Sequence, residues 1–439
     1  MRLTVLITIA TFLILPVTSH AGYEYIDITN PFFQKIPVAV PLFKAVSGDI
    51  EETRIASDAS DLLADTLAFT GLIRILDRES FLVDSKTPIS APNINFQNWI
   101  SIGAELLVTG GVRVDDKLMQ MELRLYDTVK GRLLIGKRYK GWTSDHRTMV
   151  HRFCSEIIYS LTGDRGIFNT QIAFISTTTG NKELWLCEFD GYNPDQFTRK
   201  GKITLFPSWS SDGQWLAYTS YAKGKPDLYI EHVKKKKPGF FFAREGTNST
   251  PAWVPWKFEL AASLSFSGDQ EIYLLTGRGK IIKRLTENRG IDVSPAWSPD
   301  GKKMAFVTKR SGTPQIYIRD FDTGRTERLT FHGKYNTQPS WSPLGDKIAF
   351  SAMEGGLTNI HVIGIDGNNQ LQLTHDQGDN ESPTWSPDGR LIAFSSTREG
   401  LSRIFIMSAN GMDQRRLLTL PGQQSNPEWS PRGGDNKGD

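Results

Sequence analysis

Six tryptophans stand 44 residues apart without one insertion: Trp209, Trp253, Trp297, Trp341, Trp385 and Trp429. Four of them sit in the same phrase, Pro207-Ser-Trp-Ser-Ser-Asp-Gly213, Pro295-Ala-Trp-Ser-Pro-Asp-Gly301, Pro339-Ser-Trp-Ser-Pro-Leu-Gly345 and Pro383-Thr-Trp-Ser-Pro-Asp-Gly389. Eight residues beyond each of the first five comes an alanine, from Ala217 to Ala393. An apolar triplet follows, such as Leu228-Tyr-Ile230 or Ile316-Tyr-Ile318, then a tight turn such as Asp366-Gly367, then a short segment such as Arg328-Leu-Thr330. Four short strands per 44 residues, punctuated by turns, describe the blade of a β-propeller.

Trp429 opens an inner strand whose three partners do not follow it. They are found upstream: Ile172-Ala-Phe-Ile175 is in phase with Met304-Ala-Phe-Val307, and Leu184-Trp-Leu186 and Phe197-Thr198 fill the next two slots. The expected closing blade is therefore composite, with outer strands from about 170–200 and an inner strand over Pro427 to Pro431. Closure of this kind leaves no sheet edge unpaired. Six blades are expected over residues 166–439.

The first 165 residues lack the period. Met1-Arg2, the apolar run Leu3 to Val17 and Ser19-His20-Ala21 form a secretory signal, with cleavage expected between Ala21 and Gly22. The apolar run is shorter than the roughly 20 residues a spanning helix needs. No cysteine follows it, so a lipid anchor is not expected, and no direct membrane insertion is expected elsewhere. Over 22–165 we expect a small α/β domain. Its strands are Ile36–Val40, Leu72–Leu76, Glu105–Val114, Met119–Tyr126 and Leu133–Tyr139; its helices are Glu51–Phe69, Phe96–Ile102 and Asp145–Leu161. The fold class is mainly β, a six-bladed propeller preceded by this domain.

Chemistry-bearing patterns are sparse. A formal charge of +3 from 51 basic and 48 acidic residues gives no reason to expect nucleic acid as a partner. Two cysteines exclude a four-thiolate metal site, and Cys154 and Cys187 are read as separate buried thiols. Gly131-Arg-Leu-Leu-Ile-Gly136-Lys137 imitates a phosphate loop, but Arg138 stands where a hydroxyl must ligand magnesium, and the run is strand-like. His146 and His151 lie five apart on one helix, off a common metal-binding face. Asp320 and Asp322 are read as solvated turn acids, and the basic run Lys234 to Lys237 as a solvated loop. No Gly-x-Ser-x-Gly elbow occurs. Catalytic residues, cofactors and metals are accordingly expected to be absent, and the tryptophan ladder is read as packing between blades.

An export signal, a small α/β domain and six Trp-Ser-Pro-Asp-Gly-type repeats, in that order, resemble the TolB family of the Tol–Pal cell-envelope system. The departure is Trp253-Val-Pro-Trp256-Lys257 in one blade. The resemblance implies a periplasmic, monomeric, non-enzymatic adaptor that binds the lipoprotein Pal through the propeller and TolA through the mature N-terminal segment. It further implies a part in outer-membrane integrity and in constriction during cell division. Two other classes remain open: a secreted ligand- or glycan-binding propeller, and an enzyme with its site in the propeller channel.

Two candidate binding regions follow. Tyr23, Tyr25, Ile26 and Ile28 suit an added β-strand, and by position in the resembling family they are the TolA segment. Five residues before each anchor tryptophan lies a polar residue: Thr204, Asn248, Asp292, Asn336, Asn380 and Gln424. These six are expected in loops ringing one mouth of the channel. Thr250, Ser294, Gln338 and Glu381 flank them, and the resemblance assigns this mouth to Pal. The competing reading is that the six merely shape a recurrent turn before proline.

Overall fold

The computed structural model describes residues 34–82, 89–235, 239–375 and 378–433. Signal positions Ala21 and Gly22, the segment Tyr23, Tyr25, Ile26 and Ile28, and part of the basic run Lys234 to Lys237 lie outside them.

The first domain is a sheet backed by helices. Strands β1 (Ile36–Ala39), β2 (Lys44–Ala45), β3 (Ile73–Ile75), β4 (Leu106–Asp115), β5 (Leu118–Asp127) and β6 (Arg132–Trp142) run in the order β3-β1-β4-β5-β6, with β2 also on β4. Helix α1 (Ile50–Phe69) starts where the Asp49 carboxylate accepts from Glu51 N. It buries Ile55, Ala59 and Leu63 at a spacing of four, one stripe of a 3.6-residue helix. Glu52 on the same helix is fully buried because its oxygens accept from Ser47 N, Gly48 N and Val114 N. Helix α2 (Phe96–Ser101) is short, and α3 (His146–Thr162) ends at left-handed Gly163.

Six four-stranded sheets follow the 44-residue rule. Their inner strands are Thr204–Trp209, Asn248–Trp253, Asp292–Trp297, Tyr335–Trp341, Asn380–Trp385 and Gln424–Trp429 (blades 1 to 6). Blade 6 is composite as expected: Gln424–Trp429 pairs with Gln171–Ser176, which pairs with Glu183–Glu188 and then Asp195–Gln196. Its inner strand begins three residues before the expected Pro427, at Gln424. Five of the six anchor indoles are buried and Trp297 is partly buried, and three of the six reach back one blade. Nε1 of Trp209 donates to Glu428 O at 3.1 Å, that of Trp297 to Ala252 O at 3.3 Å and that of Trp385 to Ser340 O at 3.1 Å. The ladder is therefore blade-to-blade packing.

The domains share one apolar core. Val150, Phe153, Cys154 and Ile157 of α3 join Phe168, Phe174, Trp185 and Phe189 at blade 6. Arg147 closes the rim, with Nε on Glu188 at 2.8 Å, Nη2 on Asp190 at 2.6 Å and its guanidinium over Tyr192. Lys35 meets Asp413 and Arg432 meets Asp164. Most of these propeller residues lie in third-to-fourth-strand turns or at starts of second strands, all on one face of the ring. The loops entering the inner strands open on the opposite face, which the described residues of the first domain leave free.

The expected decoys resolve accordingly. Gly131 sits in the β5–β6 hairpin turn with φ +60°. His151 is buried against Phe168 and Phe189, where burial lowers its imidazole to about 4. Cys154 and Cys187 are free and buried, and burial pushes both thiols up. Asp320 accepts from Asp322 N and Thr323 N within its turn.

Candidate functional site: the open mouth of the channel

Each inner strand carries a proline two residues before its tryptophan, inside the pairing shift, and proline has no N–H for the ladder. The register accordingly jumps in every blade, for example between Ser249 and Ala252 or Glu381 and Thr384. The residue before each proline is thrown into the left-handed region: Phe206 (φ +53°), Thr250 (+45°), Ser294 (+54°), Gln338 (+53°), Ser382 (+55°) and Asn426 (+47°). Such a conformation costs a non-glycine residue about 1 kcal/mol or more and persists only where the surroundings hold it.

Three of the six steps around the ring are bridged by hydrogen bonds. Ser294 N donates to Thr250 Oγ1 at 3.4 Å, Ser382 N to Gln338 Oε1 at 2.9 Å and Asn426 Nδ2 to Ser382 Oγ at 3.0 Å, each step 44 residues long. These residues and their prolines line a channel of about 280 Å³. Thr250, Ser294 and Gln338 of the sequence reading therefore sit on one ring, together with Phe206, Ser382 and Asn426, which that reading missed. Glu381 is not a ring member. The bulge turns Ser382 inward, and Glu381, one residue earlier, is exposed; partial burial and then the charge of Asp379 push its carboxyl up.

The six residues one step outward require a correction. Thr204, Asn248, Asp292, Asn336, Asn380 and Gln424 lie within the inner strands (five begin them), not in the loops, and all six are fully buried. Four of them meet a residue at or near the start of the preceding blade's third strand, 21 residues back. Asn248 Nδ2 donates to Asp227 at 3.1 Å, Asn336 Nδ2 to Gln315 at 2.9 Å, Asn380 Nδ2 to Asn359 at 3.2 Å, and Arg403 donates to Gln424 at 3.2 Å. Their amides also donate to the carbonyls of the entering turn, such as His332 O and Gly378 O. Asp292 is bridged by Arg310 at 2.9 Å, while burial pushes its carboxyl up. A clasp between blades explains these residues. An exposed docking rim does not, because all six side chains are fully buried.

Among the described residues lining the channel, Glu428 is the ionisable one, and burial pushes its carboxyl up to about 8. Among the described residues no group of three His, Cys, Asp or Glu is placed to hold a metal ion. None of the described helices is long and apolar enough to cross a membrane.

A six-bladed ring with a fused α/β domain, its mouth open among the described residues, defines a two-domain propeller scaffold. Residues 159–433 match the family model of the TolB beta propeller domain, and residues 24–134 that of the TolB amino-terminal domain. The chain belongs to the TolB family. It is 56% identical over 282 residues to the Tol-Pal system protein TolB of Desulfosudis oleivorans, covering 64% of each chain. It is 42% identical over 266 residues to the protein TolB homolog of Chlorobium chlorochromatii, covering 61% of this chain and 59% of that one. The matched stretch is thus a little under two thirds of these curated relatives. The crystal structure of TolB from Acinetobacter baumannii superposes with a TM-score of 0.79 at 25% identity, covering 91% of this chain and 97% of that one.

Proposed function

We propose that this protein is a non-enzymatic periplasmic adaptor of the Tol–Pal system. It binds Pal at the open mouth of the propeller and TolA through the segment after Ala21, and so supports outer-membrane integrity and constriction at division. The observation that carries the reading is the ring of six left-handed residues, a costly conformation repeated at the mouth that the described residues of the first domain leave uncovered. Loops and strand ends on a rigid ring are where binding groups concentrate. A lone carboxylate in the channel, without a second acid or base beside it, supports binding over acid–base catalysis.

The test is titration of purified Pal onto variants. Replacing Ser294 and Glu381 together by lysine should weaken Pal binding by about tenfold or more, as expected when rim residues near the centre of an interface are changed. The melting temperature should stay within about 2 °C, because neither side chain is in the clasp. Deleting residues 22–33 should abolish TolA binding and spare Pal. Pal binding that survives the rim changes but fails when the turns at Ser298–Gly301 and Ser386–Gly389 are altered would place the interface on the wrong face.

A further inference from the structure

Blades 3 and 5 each carry an arginine two residues past the second strand. In blade 5, Arg398 donates to Asn380 Oδ1 at 2.9 Å, to Ser396 Oγ at 2.8 Å and to Gln414 Oε1 at 2.8 Å, and its guanidinium lies over Phe394 and Phe405. In blade 3, Arg310 donates to Asp292 and Thr308 and lies over Phe306 and Tyr317. Both are internal cradles for a planar cation: acceptors at the edge, rings at the face.

Blade 4 keeps the cradle and lacks the arginine. Counting back 44 from blade 5, Asn380 becomes Asn336, Gln414 becomes Gln370, Phe394 becomes Phe350 and Phe405 becomes His361, while Arg398 becomes Glu354. Two acceptors that arginine satisfies in blade 5 are orphaned here. Asn336 Oδ1 and Gln370 Oε1 are buried without a hydrogen-bond partner among the described residues. Asn336 is itself fully buried. Glu354 is exposed and adds a carboxylate: a single point, the site of a Cβ built on Gly333, is 3.3 Å from both Glu354 Oε1 and Asn336 Oδ1. Between blades 3 and 4 lies a cleft of about 680 Å³ lined by Glu354, His361, Gln370 and Phe331. Burial lowers the imidazole of His361, which keeps it neutral beside the carboxylate. Arg328, on the blade 3 side, is engaged with Thr330 O at 2.6 Å. Buried acceptors left unpaired are costly, so a donor that fits them is favoured.

We propose that this cleft accepts a guanidinium group from outside the chain, an arginine side chain of a partner protein, seated where blades 3 and 5 seat their own. The cleft shares no lining residue with the channel, although Asn336 stands on the inner strand of blade 4, so the inference is tested apart from the reading of the mouth.

The experiment is calorimetric titration of the full mature chain with Nα-acetyl-arginine methylamide and with its lysine counterpart. The arginine compound should bind saturably, and the lysine compound about tenfold more weakly, since an ammonium cannot match a fork of acceptors. Glu354→Gln should weaken arginine binding by about tenfold through loss of the charge-assisted contact. Glu354→Arg should abolish binding while raising the melting temperature, because the side chain fills the cradle from within. Absence of saturable binding, equal affinity for lysine, unchanged affinity in Glu354→Gln, or displacement of arginine by millimolar calcium would each overturn the proposal. Pal is absent from every arm, so failure here and failure of the adaptor reading are separable.

Discussion

Glu428 occupies the position before an anchor tryptophan, where the other blades carry Ser208, Ala252, Ala296, Ser340 and Thr384. Burial in the channel pushes its carboxyl up to about 8, partly offset by a hydrogen bond with Thr384. An unfolded glutamate titrates near ~4.3, so between the two values the folded state keeps a proton that the unfolded chain has lost. This contribution to stability is complete below about pH 4 and is lost as pH rises toward 8. Glu428→Gln should therefore flatten the fall in melting temperature between pH 5 and about 8, read from melts across a pH series. The clasp makes a second prediction. Asn380→Ala removes the bonds to Arg398 and Asn359 at once and should cost about 2 kcal/mol in urea unfolding. The sequence reading places Asn380 and its equivalents in loops because they stand five residues before each anchor, where an inner strand is only about to begin. Four of them find partners 21 residues away in another blade, and no local pattern carries that distance. The ring members Thr250, Ser294 and Gln338 each adjoin their proline, whereas Glu381 stands one residue out of the 44-residue phase that Ser382 keeps.

The turns after the inner strands show how far a repeated phrase determines an element. In blade 3 Ser298 Oγ donates to Asp300, which accepts from Lys302 N, and Gly301 takes the left-handed position at φ +69°. Blades 1 and 5 repeat the arrangement with Asp212 and Asp388. Blade 2 has Val254-Pro-Trp256-Lys257 instead, and there the left-handed residue comes one position early, at Trp256 (φ +62°), with the indole 83% exposed. The phrase makes four turns legible, each with its glycine left-handed, whereas blade 2 was not legible, because without glycine the chain has two places to put the strain. Asparagine tolerates this conformation better than tryptophan. Trp256→Asn should accordingly raise stability by about 0.5–1 kcal/mol by chemical denaturation, with no change in fold. The composite blade was legible for the opposite reason. Strand phase survives a gap of any length, so Ile172–Ile175 could be matched to a tryptophan some 250 residues downstream.

Across the whole molecule, the joint between the domains had no sequence signal, since its contacts join residues 41 to 378 positions apart and do not recur. Arg147 is the hinge pin of that joint, half-buried between Glu188, Asp190 and Tyr192. Arg147→Ala leaves two carboxylates facing the domain boundary and should lower stability by about 2 kcal/mol. Calorimetry should then resolve two transitions where the parent chain shows one. The closing blade bears on how such a chain comes into being. Blades 1 to 5 are each made of neighbouring hairpins and can form in order as a nascent chain lengthens. Blade 6 waits with Gln171–Ser176 in hand until Gln424–Trp429 arrives, and until then the ribbon presents two bare strand edges. Synthesis thus carries its own completeness check: a product halted before residue 424 keeps both edges open to proteases and to other chains, while a finished one conceals them in a single step.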